Sequence, residues 1–435
     1  MKTKAYKNYD EELFTEVLDN GLTVNLLPKA GYHKTYAVFT TNFGSLDNQI
    51  KVDGQTVTIP AGTAHFLEHK MFEKEDYDAF DLFSKNGADA NAFTSYSRTS
   101  YLFSTTVNLK ENLNNLLDFV QRPYFSAKSV AKEQGIIGQE IKMYNDDPDW
   151  QSYMGILKNL FPNHAMSQDI AGSVDSISEI TPEVLYQIHE LAYRPSNMNL
   201  FVVGGFDVQE VLDWLKDNQN KKHFEKKVVE LSNNQNDNLQ SDGADIIREA
   251  LQVGMVQRPK VMIGLRGLKP LPAKGIARLK YIMELDLALY LLLSSSSQSY
   301  LELYDKGILD DTFGYELNAE RDIYYLTISG DTNNPDDFKQ KIEQVLKNGV
   351  DQLKDQAPEF ELAQKEMIGR SITKMNSIEA IANSFEGEWY GNSTVFDEAD
   401  LYQTIKFEDV QKAFADFISG NVISTFQTNS RGDQK

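Results

Sequence analysis

The chain contains no cysteine. That excludes a disulfide framework and a thiolate metal site, so any transition ion must be held by histidine and carboxylate. Histidine is itself scarce, six residues in 435, which makes any closely spaced pair informative. Basic residues are outnumbered, 43 Lys and Arg against 64 Asp and Glu, for a net charge of −21. A chain this acidic repels nucleic acid, and no basic patch interleaved with aromatics offsets it. The negative excess serves solubility, or a preference for basic peptides. Long apolar runs are missing too. The richest, "LDLALYLLL" (285–293), is bounded by Glu284 and a serine run and reads as a buried helix, not a membrane span. The first eighteen residues carry lysines but no apolar stretch ahead of their acidic residues, so they do not read as a signal peptide. The expectation is a cytoplasmic protein.

What is present is the composition of a globular protein, 41% hydrophobic and 25% charged, in a chain long enough for two to four domains. "GLTVNLLPKA" and "TYAVFTTNFGS" read as strands separated by a Gly-containing turn. "TAHFLEHKMF" has helical period, with Thr63 as N-cap after Gly62. "YDAFDLFSKNG" is a second helix stopped at Gly87. "ANAFTSYSRTSYLFSTTV" alternates like a hairpin, and "NMNLFVVGGF" like a buried strand. "LKENLNNLLDFVQRPYF" is an amphipathic helix ending before Pro123. "SAKSVAKEQGIIGQEIKMYNDD" is a long helix interrupted in propensity by Gly135 and Gly138.

Residues 218–245 are rich in Asn and Gln and poor in apolar side chains, the composition of a linker. Beyond them the order of strands and helices recurs: strands around "MVQRPKVMIGLRG", a helix over 276–307, strand-like "TFGYELNAERDIYYLTISGDT", then two further helices. "IGQEIKM" (137–143) resembles "IGRSITKM" (368–375), and in that register Ser371 stands where the first half has Glu140. The fold expected is α+β: two homologous domains, each an antiparallel-rich sheet with helices packed on it. The first spans 1–220, a polar linker 221–245, and the second 246–435.

Within "AGTAHFLEHKMF", His65 and His69 stand four apart, and positions i and i+4 share one helix face. Both imidazoles can therefore reach one ion. Glu68 precedes His69 beside the same stripe, where it can reach a water on the metal without being a ligand. Two imidazoles, a carboxylate and an open position form the donor set of a hydrolytic zinc site, with the free carboxylate as general base. A third ligand is required. Glu140 is the leading candidate among many carboxylates, and Glu133, two helical turns earlier, lies near the same face. Glu133 is placed to orient Glu140 or to accept a hydrogen bond from a ligand imidazole. His33, His164, His189 and His223 stand alone and read as surface or packed histidines.

"HFLEH" is an inverted zinc motif, His-x-x-Glu-His. With "GADANAFTSYSRTSYLF", "EQGIIGQE" and "YRPSNMNLFVVGGFD", at their usual order and spacing, the sequence resembles the pitrilysin/insulinase metallopeptidases along essentially its whole length. It looks most like their bacterial half-size, processing-peptidase-like members. The resemblance implies a zinc endopeptidase holding one Zn2+ per chain. It implies His65, His69 and Glu140 as ligands, Glu68 as catalytic base, and Glu133 in support of the site. It also implies that Asn91, Ala92 and Phe93 form an edge strand along which a peptide substrate pairs.

One feature departs from the family. Active members carry in their second half an arginine and, seven residues on, a tyrosine that help bind substrate. Here "LYDKGIL" puts Tyr304 and Asp311 in those slots, with Tyr315 and Arg321 nearby but out of register. Half-size members pair into dimers that enclose a chamber, often with a partner lacking the zinc motif. The resemblance therefore implies a heterodimer with a zinc-less paralogue, or else a homodimer. The substrates implied are short or unfolded peptides, including leader peptides removed during maturation. A non-catalytic scaffold subunit of the same fold is the competing expectation.

Overall fold

A computed structural model describes residues 1–52, 54–224, 229–231, 239 and 241–430 of the chain. An N-terminal hairpin, β1 (Lys2–Tyr6) and β2 (Glu11–Val17), precedes β3 (Thr23–Pro28) and β4 (Thr35–Thr41). A short hairpin, β5 (Gln49–Val52) and β6 (Gln55–Thr58), leads into α1 (Thr63–Phe72) and α2 (Ala79–Lys85). The hairpin β7 (Ala88–Thr94) and β8 (Thr99–Thr105) follows. Next come α3 (Leu109–Gln121), α4 (Ala127–Asn145), α5 (Pro148–Leu160), α6 (Val174–Ser178) and α7 (Pro182–Ala192). Strand β9 (Met198–Gly204), α8 (Val208–Gln219) and β10 (Val229–Leu231) end this half.

The second half opens with β11 (Glu249–Gly254) and β12 (Lys260–Arg266), then α9 (Ile276–Leu293) and α10 (Gln298–Asp305). The hairpin β13 (Gly314–Glu320) and β14 (Ile323–Asp331) leads to α11 (Pro335–Gln352), α12 (Ala357–Lys374) and α13 (Ile378–Asn383). Helices α14 (Val395–Thr404) and α15 (Phe407–Ile418) precede the last strand, β15 (Ser424–Ser430). No helix among the described residues is long and apolar enough to cross a membrane.

The strands form a seven-stranded sheet, β1-β2-β3-β9-β4-β8-β7, a five-stranded sheet, β11-β15-β12-β14-β13, and a small sheet, β10-β5-β6. The two large sheets share one plan. In each, a strand pairs in parallel with the last strand of its set, β3 with β9 and β11 with β15. That strand is followed by an antiparallel neighbour and an edge hairpin, β8–β7 in one and β14–β13 in the other. The chain is a duplicated α+β unit, as its recurring element order suggests.

The two strands read on either side of a Gly-containing turn are β3 and β4, and β9 lies between them in the sheet. Strand β9 is apolar on both faces and belongs mid-sheet, where a strand is covered on both sides. Two local readings need correction, the helix over 276–307 and the N-cap of α1. The helix expected over 276–307 breaks at the serine run. Ser297 caps a fresh helix there, its side chain accepting the Tyr300 N–H. Gly62, not Thr63, is the N-cap of α1, and Thr63 is already helical, its hydroxyl donating to the Pro60 carbonyl at 2.7 Å.

By packing, one compact unit comprises Met1–Ile141, Asp169–Asn233 and Lys374–Phe385. The other comprises Lys142–Gln168, Asn234–Thr373 and Glu386–Lys435. Each unit thus incorporates one segment from the other's stretch of sequence: α13 in the first, α5 in the second. Of the polar stretch 221–245, residues 225–228, 232–238 and 240 lie outside the described residues, and β10 within it pairs with β5.

In the first unit, one face of the large sheet (Val24, Phe39, Phe103, Leu200) packs under Phe66, Leu67 and Met71 of α1 and Leu116 of α3. The opposite face receives α13. The Phe385 ring meets Phe201 at 5.1 Å, and the Arg98 guanidinium donates to the carbonyls of Asn383 (3.0 Å) and Phe385 (2.8 Å). In the second unit α9 is buried through Leu285, Leu287, Leu289 and Leu292, matching the reading of that apolar run as a core helix.

Candidate active site

Two helices and one edge strand of the first unit bring the candidate residues together. Helix α1 carries His65, Glu68 and His69, and α4 carries Glu133 and Glu140. The entry of α1 is set by backbone contact. Gly62 has φ +91°, and a Cβ there would stand 2.4 Å from the Ala171 carbonyl oxygen. Gly172, at φ +77°, faces the Ala61 carbonyl in the same way, at 2.5 Å. Only glycine tolerates both the conformation and the approach. α4 runs unbroken through Gly135 and Gly138, where an added Cβ would meet nothing within 4 Å.

Ligand atoms of His65, His69 and Glu140 all lie within 4.8 Å of one another, the only such group of three found among the described residues. Each Nε2 stands 3.8 Å from a different oxygen of Glu140. Donors on a tetrahedral zinc with bonds of about 2.0–2.2 Å stand roughly 3.4 Å apart, so the group would draw together on an ion. Two imidazole nitrogens and one carboxylate fit zinc by chemistry as well as by spacing.

The electrostatics suit that purpose. Burial, with the neighbouring His69 ring, pulls His65 down to about 4 and keeps its imidazole neutral, the ligating form. Burial works against a proton on His69. The hydrogen bond and charge of Glu133, with Glu68 and Glu140, outweigh it and raise that group. His69 Nδ1 lies 3.0 Å from Glu133 Oε1, and in the neutral ring a bond there holds the proton on Nδ1 and leaves Nε2 as the lone-pair face toward Glu140. Burial opposes the charge on Glu133 too, but His69, Lys70 and Lys132 together hold its carboxyl below the usual range. Glu133 therefore backs His69.

Glu68 is half-buried, and that burial pushes its carboxyl above the usual range despite a hydrogen bond from Thr94 Oγ1 at 2.6 Å. Thr94 was not singled out in the sequence. It directly follows Phe93, and it ends β7, the outermost strand of its sheet. Asn91, Ala92 and Phe93 pair with Leu102, Tyr101 and Ser100 of β8 on one side only. The Ala92 N–H is taken by the Asn91 side-chain oxygen at 2.8 Å.

In the second unit, Ser371 occupies α12, buried and without ligand chemistry, where the repeat puts Glu140. Tyr304 lies on α10, half exposed and stacked on Tyr300 with ring centroids 5.7 Å apart, and Asp311 is exposed. Tyr315 sits on β13, and Arg321 turns the β13–β14 hairpin at φ +54°.

Residues 59–174 match the family description "Insulinase (Peptidase family M16)" and residues 179–367 match "Peptidase M16 inactive domain". A Bacillus subtilis protein named uncharacterized zinc protease YmfH is 42% identical over 97% of both chains. The crystal structure of an M16-like peptidase from Alicyclobacillus acidocaldarius is 30% identical, covering 97% of this chain and 98% of that one, at a TM-score of 0.87. A protease from Helicobacter pylori, 19% identical, covers 96% of this chain and 99% of its own at a TM-score of 0.79, a likeness of fold. With a full-length relative at this identity and both halves matched, the chain belongs to the insulinase family of peptidases, family M16.

Proposed function

We propose that this chain is the catalytic subunit of a zinc-dependent endopeptidase that hydrolyses short or unfolded peptides. The observation that carries the reading is the convergence of His65, His69 and Glu140 within 4.8 Å, with Glu68 on the same helix as both histidines. In this reading the three residues hold one zinc per chain. When bound there, zinc supplies a Lewis acid and makes a water a nucleophile near neutral pH. Glu68 accepts a proton from that water and hands it to the leaving amine. A carboxyl raised by burial serves both halves of such a transfer better than one at its ordinary value. Glu133 fixes the tautomer and aim of His69.

The free side of β7 offers the substrate backbone a strand to join, at Asn91, Ala92 and Phe93. An incoming strand takes the Ala92 N–H from the Asn91 side chain. Thr94 connects this edge to Glu68, so substrate alignment and the general base share one short segment. Strand addition selects extended chains, which supports unfolded peptides as substrates, including ribosomally made peptides during maturation. In this reading the first half (1–220) carries the chemistry, and the second (246–435), beyond the 221–245 linker, carries no zinc ligand. With Tyr304 and Asp311 where the family has arginine and tyrosine, a zinc-less paralogue supplies those groups in a cytoplasmic heterodimer. A homodimer is the alternative assembly.

The test is cleavage of an unstructured fluorogenic peptide by the zinc-loaded chain and its Glu68→Gln variant, each with and without a zinc-less paralogue. The expected result is cleavage by the parent and a loss of roughly 100-fold or more in the variant. Zinc uptake with no cleavage in any combination assigns the chain a scaffold role instead. Equal cleavage by both removes Glu68 as the base.

A further inference from the structure

Lys70 is the least expected residue of α1. It shares the inward stripe with Phe66, Leu67 and Met71 and is fully buried. An ammonium in such a place is costly unless it is paired. Its Nζ lies 2.5 Å from Glu73 Oε2 and 4.0 Å from Glu133 Oε2. The other oxygen of Glu133 accepts His69 Nδ1–H at 3.0 Å. Two consecutive residues of α1 thus face the two oxygens of one carboxylate on α4, His69 through a hydrogen bond and Lys70 as a charge 4.0 Å away. The neighbouring Lys74 is no substitute, because its Nζ already donates to the Phe119 and Arg122 carbonyls at 2.8 and 2.7 Å.

We propose that Lys70 is a positioning residue for the metal centre, acting through Glu133 on His69. The last torsion of a glutamate is broad, so a carboxylate bonded through one oxygen can swivel. A cation facing the second oxygen from 4.0 Å biases that plane by its charge and, with it, the direction of the His69 ring. An apolar side chain of similar length would fill the same space at less cost. The ammonium has a use there if it holds the Glu133 carboxylate still behind His69.

This inference rests on the reading that His65, His69 and Glu140 hold zinc. The experiment measures zinc affinity of the full chain by competition with a chromophoric chelator. It compares the parent with Lys70→Met, Lys70→Arg, Glu133→Gln and the Lys70→Met/Glu133→Gln double variant. A further variant, Lys70→Met/Glu73→Met, removes the ion pair together and keeps the test available if the single change does not fold. The expected result is a loss of roughly 10- to 100-fold for Lys70→Met and for the paired removal, the range seen when groups behind metal ligands are deleted. Lys70→Arg restores most of the affinity. In the Glu133→Gln background Lys70→Met costs little further, because the two residues act on His69 as one unit. Parent-like affinity in both Lys70→Met variants overturns the inference, as does an undiminished Lys70 effect once Glu133 is gone. A parent that binds no zinc overturns the site reading itself.

Discussion

The Thr94 hydroxyl donates to the Glu68 carboxylate at 2.6 Å, tying the last residue of an edge strand to the candidate general base. If this bond aims Glu68, Thr94→Val lowers kcat by roughly tenfold, the rate equivalent of one charge-assisted hydrogen bond. KM and zinc content stay near parental values. Steady-state kinetics on a fluorogenic peptide measure the split, and an unchanged kcat removes Thr94 from the mechanism.

The free edge of β7 makes its own prediction. Ala92→Pro deletes the amide that is now capped by Asn91. Edge strands accept proline, so the fold and the zinc site persist. KM for a peptide rises roughly 5- to 10-fold from the lost backbone hydrogen bond alone. Parental KM in a folded variant means that substrates do not pair along this strand.

Gly62→Ala tests the entry of α1. The change puts a Cβ against the Ala171 carbonyl at a φ that alanine resists. A loss of about 1–3 kcal/mol from backbone strain is expected, with weakened zinc binding as α1 shifts. Chemical denaturation and metal titration report the two effects separately. Full stability would show that the Gly62–Ala171 contact relaxes freely.

His189 is buried, its Nε2 on the Val120 carbonyl at 2.9 Å, and burial holds it down to about 4. The unfolded chain takes up this proton near pH 6.5 and the folded chain only near 4. Its contribution to stability is therefore complete above pH 6.5 and is lost as pH falls toward 4. His189→Gln makes stability less steep in that window by up to about 1.4 kcal/mol per pH unit. Denaturant titrations at several pH values measure it, and parallel curves for parent and variant would contradict it.

Much of this arrangement is legible in the sequence, for identifiable reasons. The i,i+4 spacing of His65 and His69 needs only a helix to become a metal pair. The hairpin at 88–105 and the buried strand at 198–204 follow from alternation and apolar content. The third donor is harder. The sequence makes Glu140 a leading candidate among 64 carboxylates, but spacing along the chain cannot single it out, and the family resemblance does. Strand neighbours are harder still, since β9 inserts between β3 and β4 from more than 150 residues away. The placement of α5 and α13 is equally hidden, because an amphipathic helix does not specify which sheet it covers. Lys70 escaped notice as an ordinary helix lysine. Its spacing, four after Phe66 and three after Leu67, already put it on the buried stripe.

The central claim is that His65, His69 and Glu140 form one zinc site. A zinc titration of the full chain, with bound metal counted per chain, tests it most directly when the parent and Glu140→Gln are compared under the same conditions. One zinc per parent chain and a marked loss of occupancy in Glu140→Gln is the outcome expected of this site. Full occupancy in Glu140→Gln, or no zinc in the parent, contradicts it.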